Sequence, residues 1–133
     1  SRLTPVVEAG GWVRGAVTDL LGTDRGEAWG SWVGGYRYVG DLRILAEPAA
    51  DGFIHLVYMT GPDASFQSVV VIGPLTDDAG ERRQLVAADL PTSVHRWSVL
   101  DVPLPEGVAD QEVSVTFRDG GSAWGQWSAL WIK

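Results

Sequence analysis

The chain has no cysteine, a single methionine and a single lysine, Lys133. Without cysteine there is neither a disulfide framework nor a thiolate metal site, so its 133 residues must be held by burial of a core alone, which a domain of this length can achieve. Positive charge is also scarce. Ten basic residues stand against seventeen acidic ones, the formal net charge is −7, and the densest basic cluster is the Arg82-Arg83 pair. Such a surface repels phosphate backbones and excludes nucleic acid as a partner. No apolar run approaches the roughly 20 residues of a helical membrane span, so the domain itself does not cross a bilayer in that way. A signal peptide and a basic targeting run are both missing, and the chain begins at Ser1 rather than Met; we read 1–133 as one domain excised from a larger protein.

Catalytic signatures are missing as well. There is no Gly-rich phosphate loop, EF-hand loop or His-based zinc motif. A nucleophile elbow at Ser31 fails because Trp29 and Val33 stand where glycines are required. Of the two histidines, His55 lies mid-strand among apolar neighbours and His95 beside a strand start, which suits a hydrogen-bonded sheet residue better than a general base. Paired carboxylates for glycoside hydrolysis stay open, since seventeen acids offer many pairs and only spatial separation decides. Yet Asp51, Asp63, Asp77, Asp78 and Asp119 stand next to or near Gly or Pro, where a carboxylate bonds the turn backbone. The domain is expected to be noncatalytic.

What the chain does contain is period-two patterning broken by turn residues. Strands are expected at Trp12 to Val17, Val33 to Leu45, Phe53 to Thr60, Ser68 to Ile72, Arg82 to Ala88, His95 to Val102, Glu112 to Arg118 and Trp127 to Ile132. No amphipathic helix is found. Eight or nine strands at these spacings predict an all-β, antiparallel two-sheet β-sandwich of jelly-roll type, with Arg82 to Ala88 at an edge and an immunoglobulin topology as the alternative. The core is expected to include Tyr38, Leu42, Ile44, Val57, Val70, Val113, Val115 and Phe117.

One five-residue word occurs twice, Ala28-Trp29-Gly30-Ser31-Trp32 and Ala123-Trp124-Gly125-Gln126-Trp127, so four of seven tryptophans sit in two near-identical contexts, each after a Gly-rich stretch. An indole beside a turn offers a flat apolar face and an N–H that wants a polar partner, a combination suited to stacking on the C–H face of a sugar ring. Trp29, Trp32, Trp124 and Trp127 are therefore stacking candidates, with Arg37, Asp119 and Gln126 as hydroxyl partners. In extended backbone the two tryptophans of a word face opposite ways, so one per copy is expected to stack. The same aromatic surface would equally serve docking onto another domain, because Trp and Tyr are enriched at protein interfaces for the same reasons. If the first and last strands are neighbours, Glu8 and Asp119 with turn carbonyls converge as oxygen ligands for a structural calcium; no other cofactor is implied.

The stretch Ala28-Trp-Gly-Ser-Trp-Val-Gly-Gly-Tyr-Arg-Tyr-Val-Gly-Asp-Leu-Arg-Ile-Leu45 resembles a recurring opening of galactose-binding-like β-sandwich modules, in which Gly-Ser-Trp is followed by Gly-x-Leu. Phe117-Arg-Asp-Gly-Gly-Ser-Ala-Trp-Gly-Gln-Trp127 resembles their closing segment. Such modules accompany glycoside hydrolases, and a similar one forms the extracytoplasmic C-terminal part of actinobacterial arabinosyltransferases that build cell-wall arabinan. This chain departs from that pattern in lacking an aromatic in Asp41-Leu-Arg-Ile44. The Arg-, Ala- and Gly-rich composition is that of a GC-rich genome. The resemblance implies a carbohydrate-binding module that takes an oligosaccharide or cell-wall glycan. It further implies an extracytoplasmic or secreted location, tethered through a membrane-embedded parent.

The charge argument has a direct test. The domain is expected to pass through heparin and to ignore duplex DNA at physiological ionic strength; tight, salt-sensitive retention would contradict it.

Overall fold

The computed structural model describes residues 2–5, 12–14, 27–31, 40–76, 82–94, 96–105, 111–121 and 123–132. Among these residues the regular structure is all β, in ten strands: β1 (Arg2–Pro5), β2 (Val13–Arg14), β3 (Glu27–Gly30), β4 (Gly40–Glu47), β5 (Phe53–Thr60), β6 (Gln67–Thr76), β7 (Arg82–Asp89), β8 (Ser98–Pro103), β9 (Val113–Asp119) and β10 (Ser128–Ile132). They form two five-stranded sheets, β1-β4-β9-β6-β7 and β2-β3-β10-β5-β8. Every paired neighbour is antiparallel. Without the short β1 and β2, the orders β4-β9-β6-β7 and β3-β10-β5-β8 are those of a jelly roll, the predicted architecture. No helix among the described residues is long and apolar enough to cross a membrane.

Alternation decides what enters the core. Along β4, Leu42, Ile44 and Ala46 are buried while Asp41, Arg43 and Glu47 face solvent, as period two requires. Ile54, Leu56 and Tyr58 of β5, Val69 and Val71 of β6, Val113, Val115 and Phe117 of β9 and Leu130 of β10 join them in one cluster. Phe117 meets the buried Trp12 edge-to-face at 6.2 Å and 76°, and the Trp12 indole N–H donates to the Gly40 carbonyl at 3.1 Å.

Two of the expected core residues lie on the outer faces of their strands. Ile54, Leu56 and Tyr58 point inward, so Val57 stands on the outer face of β5, half-buried between Trp131 and Val99 in the ladder. Val70 is buried but outside the core cluster, on the outer face of β6 between Thr116 and Ala87. A strand apolar on both faces gives no parity signal, so the sequence marks both residues as apolar without marking their face; Val70 is buried as expected, and Val57 is only half-buried. Tyr38 lies outside the described residues. Ser114 and Thr116 are buried rather than solvated, because β9 is the middle strand and larger neighbours on β4 and β6 shield small side chains on its outer face. The Arg-rich β7 is an edge, as expected. Its ladder with β6 shifts register between Ile72 and Thr76, a stretch containing Pro74, which has no N–H to contribute.

Phe117 is fully buried against both sheets. Truncation to Ala should cost about 3–5 kcal/mol in urea unfolding; a loss below about 1 kcal/mol would place the ring at the surface.

Candidate functional site

The last strand, β10, runs between β3 and β5, and this brings the two tryptophan words together. Ser31, in the middle of the first word, donates from its backbone N–H to the Ser128 carbonyl at 3.1 Å. Its hydroxyl donates to the same carbonyl at 3.2 Å and accepts from the Ser128 N–H at 3.0 Å. Ser128 directly follows the second word. Ala28 to Gly30 of the first copy are nevertheless strand, and Ala123 to Gln126 of the second are turn. Trp29 and Gly30 lie in β3, paired with Leu130 and Ala129. Ala123 to Gln126 close a β-turn through Gln126 N–H to Ala123 C=O at 3.1 Å, with Gly125 at φ 78°, the value position i+2 of a type II turn requires.

Ser31 against Gln126 is the one difference between the words, and the side chain that closes the turn is present in the second alone. The Gln126 amide is long enough to fold back: its Oε1 accepts from the Ala123 N–H at 3.0 Å, and its Nε2 donates to Asp63 Oδ2 at 3.0 Å. Serine reaches neither. Trp124 thereby occupies corner i+1 of a sealed turn, 70% exposed, while Trp127, three residues on, is 5% exposed. Trp127 packs over Gly61, where any Cβ would collide with its indole and with the Gly125 carbonyl, so only glycine fits.

A second loop, residues 61–66, is bonded along this turn. Asp63 N–H donates to Gly125 C=O at 3.1 Å, and Gly120 N–H donates to Phe66 C=O at 2.9 Å. Asp63 also accepts from the Ser65 N–H at 3.0 Å, and these bonds from Ser65 and Gln126 hold its carboxyl below the usual aspartate range, so it is ionised at neutral pH. Phe66 is 70% exposed and has φ 64°, making it the non-glycine residue with positive φ among those described. For a bulky side chain that conformation costs about 1–2 kcal/mol.

Beneath both loops, Asp119 is 2% exposed. Its Oδ1 accepts from Gln67 Nε2 at 2.7 Å and from the Gly121 N–H at 3.0 Å. Burial raises its pKa above the ordinary 3.8, against the lowering influence of hydrogen bonds from Ser31, Gln67 and Gly121. Gln67 Oε1 is buried without a hydrogen-bond partner, as is the indole N–H of half-buried Trp29.

The residues selected from sequence are thus distributed as follows. Trp124 is largely exposed, Trp127 and Gln126 are buried supports, Asp119 is a buried network centre and Trp29 packs half-buried against the core. Trp32, Arg37 and Glu8 lie outside the described residues. For calcium, Asp119 spends Oδ1 on two N–H donors that a cation would have to displace, and no cluster of three metal-ligating side chains occurs among the described residues. Asp63 and Phe66 were not selected. The signal was there, since an aromatic in Gly61-Pro62-Asp63-Ala64-Ser65-Phe66 follows a turn sequence with no strand parity to bury it.

His55 belongs elsewhere, on the outer face of β5. Its Nδ1 lies 2.5 Å from Asp101 and its Nε2 2.9 Å from Asp51, so the imidazolium satisfies both carboxylates and its pKa is raised above 6.5 by hydrogen bonds to Asp101 and then Asp51. This is an ion-paired sheet histidine. Its stabilising effect is complete below 6.5 and fades as pH rises through the folded value.

Asp119 follows the same sign rule for a different reason. A carboxyl whose folded pKa is raised adds stability that is full below 3.8 and is lost as pH climbs through the folded value. Asp119→Asn keeps an Oδ1 acceptor for Gln67 and Gly121 while removing the buried charge. It should match or exceed the wild type in urea midpoint at neutral pH and flatten the change seen as pH climbs above 3.8. Asp119→Ala strands the Gln67 amide and should cost about 1–3 kcal/mol. Equal destabilisation by both substitutions would refute the buried-charge account.

No protein-family model matches the chain, and no curated protein matches it. Among solved structures it is similar to the C-terminal extracellular domain of Mycobacterium tuberculosis EmbC, at 18% identity and TM-score 0.53 over 80% of this chain and 40% of that one. It is also similar to TmCBM61 in complex with β-1,4-galactotriose, at 13% identity and TM-score 0.52 over 98% of this chain and 83% of that one. A third is the arabinosyltransferase EmbB from Mycobacterium smegmatis, at 17% identity and TM-score 0.53 over 80% and 12%. The chain spans less than half of either mycobacterial protein's length in those structures. At these identities the likeness establishes the fold, a β-sandwich of the kind seen in a carbohydrate-binding module and in the C-terminal module of arabinosyltransferases.

Proposed function

We propose that this domain is a noncatalytic carbohydrate-binding module, exported and attached to a cell-wall glycosyltransferase of the arabinosyltransferase kind or to a glycoside hydrolase. The observation that carries the reading is Trp124, a large apolar residue 70% exposed at the corner of a turn that the Gln126 side chain closes and ties to Asp63. A fixed, exposed indole gives up little conformational entropy when a sugar ring stacks on it, so more of the contact energy appears as affinity. Beside it the ionised Asp63 carboxylate can accept hydrogen bonds from sugar hydroxyls. That TmCBM61, of like fold, is bound to β-1,4-galactotriose supports the ligand class, and the mycobacterial extracellular domain supports the location.

Docking onto another domain of the parent protein is the second reading. It draws on a different surface, the outer face of β5, β8 and β10, where Val99 is 62% exposed and Trp97 meets Trp131 edge-to-face at 5.2 Å.

A glycan array containing galacto- and arabino-oligosaccharides, followed by tryptophan-fluorescence titration, tests the first reading. A dissociation constant between roughly micromolar and millimolar is expected. Trp124→Ala should remove most binding while leaving the melting temperature within about 2 °C, whereas Trp127→Ala should cost about 3–5 kcal/mol of stability. Binding that survives Trp124→Ala, or a wild-type domain that binds no glycan, would overturn the assignment.

A further inference from the structure

Phe66 combines two features that stability alone does not select. A phenyl ring is left 70% exposed, and its backbone is held at φ 64°, where glycine or asparagine is ordinarily found. The turn that contains it, closed by Gln67 N–H to Ala64 C=O at 3.2 Å, would accept either of those residues with less strain. The position is also tied to the Trp124 turn at both ends. The Phe66 carbonyl accepts from Gly120, at the start of the segment leading to Trp124, and Asp63 bonds Gly125 and Gln126 at its close. Two exposed aromatic residues therefore sit on one hydrogen-bonded double loop, with the Asp63 carboxylate on the loop that carries Phe66. Strain at an exposed aromatic is an arrangement found where a side chain must be aimed at a ligand.

We propose that Phe66 is a second sugar-contacting residue of the Trp124 site, so that the site has at least two subsites and selects an oligosaccharide over a monosaccharide. The proposal rests on the carbohydrate-binding reading above. One ring holds one sugar weakly; a second ring on the same rigid double loop adds its contact without a second loss of translational freedom, and affinity grows with chain length. Phe66 sets the length preference, and Trp124 sets whether any sugar binds.

The test compares β-1,4-galactotriose and arabinotriose with galactose and arabinose, titrated against the wild type, Phe66→Asn, Phe66→Tyr and Trp124→Ala. Asparagine tolerates the left-handed backbone, so Phe66→Asn should fold with an unchanged or higher Tm. It should lower affinity for the bound trisaccharide by about tenfold, and the monosaccharide affinity by less than about twofold. Phe66→Tyr should restore the trisaccharide affinity. Trisaccharide binding that Phe66→Asn leaves unchanged overturns the role of Phe66 while the Trp124 reading stands. Equal weakening of monosaccharide and trisaccharide overturns the second subsite. Loss of self-association in Phe66→Asn with sugar affinity intact, read by analytical ultracentrifugation, assigns the ring to a protein contact and overturns the proposal. If the wild type binds neither trisaccharide nor any other glycan of the array, the carbohydrate reading itself fails and this inference with it.

Discussion

The placement of β10 between β3 and β5 is the constraint on which the rest depends. A strand bonded on both sides, with Ala129 and Leu130 fully buried, has its register specified twice, and a slip by one residue would turn Leu130 outward. Everything immediately before it inherits that position. Trp127 is pulled down over Gly61, Ser128 is pinned by Ser31, and the chain has only the span from Asp119 to Trp127 in which to cross from one sheet to the other. The turn at Trp124 is the surface expression of that crossing.

Three side-chain groups tie the crossing segment to its neighbours: Gln126 seals the turn and reaches Asp63, Asp119 gathers Gln67 and the Gly121 amide, and Ser31 joins the two words. Buried polar networks of this kind are costly when incomplete, and the partnerless Gln67 Oε1 marks where this one is. Their use lies in specificity of geometry more than in net stability. The acids in it differ: bonds from Ser65 and Gln126 hold Asp63, near the surface, below the usual range, whereas burial is the largest influence on Asp119 and raises it.

The same physics explains why His55, the titratable group most visible in the sequence, is not part of this end of the molecule. Its parity on β5 aims it outward toward Asp51 and Asp101, on the sheet face. The acids flanking turns behave as turn chemistry requires: Asp51 accepts from the Phe53 N–H, Asp63 from Ser65 and Asp119 from Gly121, each two residues on.

Strand content, the jelly-roll class, the edge position of β7 and the inward set Leu42, Ile44, Val113, Val115 and Phe117 were legible in the sequence, because period-two alternation and turn residues are local signals that survive folding. The repeated tryptophan word was legible as a point of interest. Only the tertiary structure decided the rest. Two nearly identical words became a strand and a turn because one is paired with Leu130 and Ala129 and the other is folded back by a glutamine. Val57 and Val70 took the outer parity because continuous apolar strands carry no local mark of which face is which. Trp124 and Trp127 were separated into exposed and buried around Gly61, more than sixty positions away in the chain. A residue's local sequence sets what its backbone prefers; whether its ring meets protein or water is set by distant segments that no local pattern encodes.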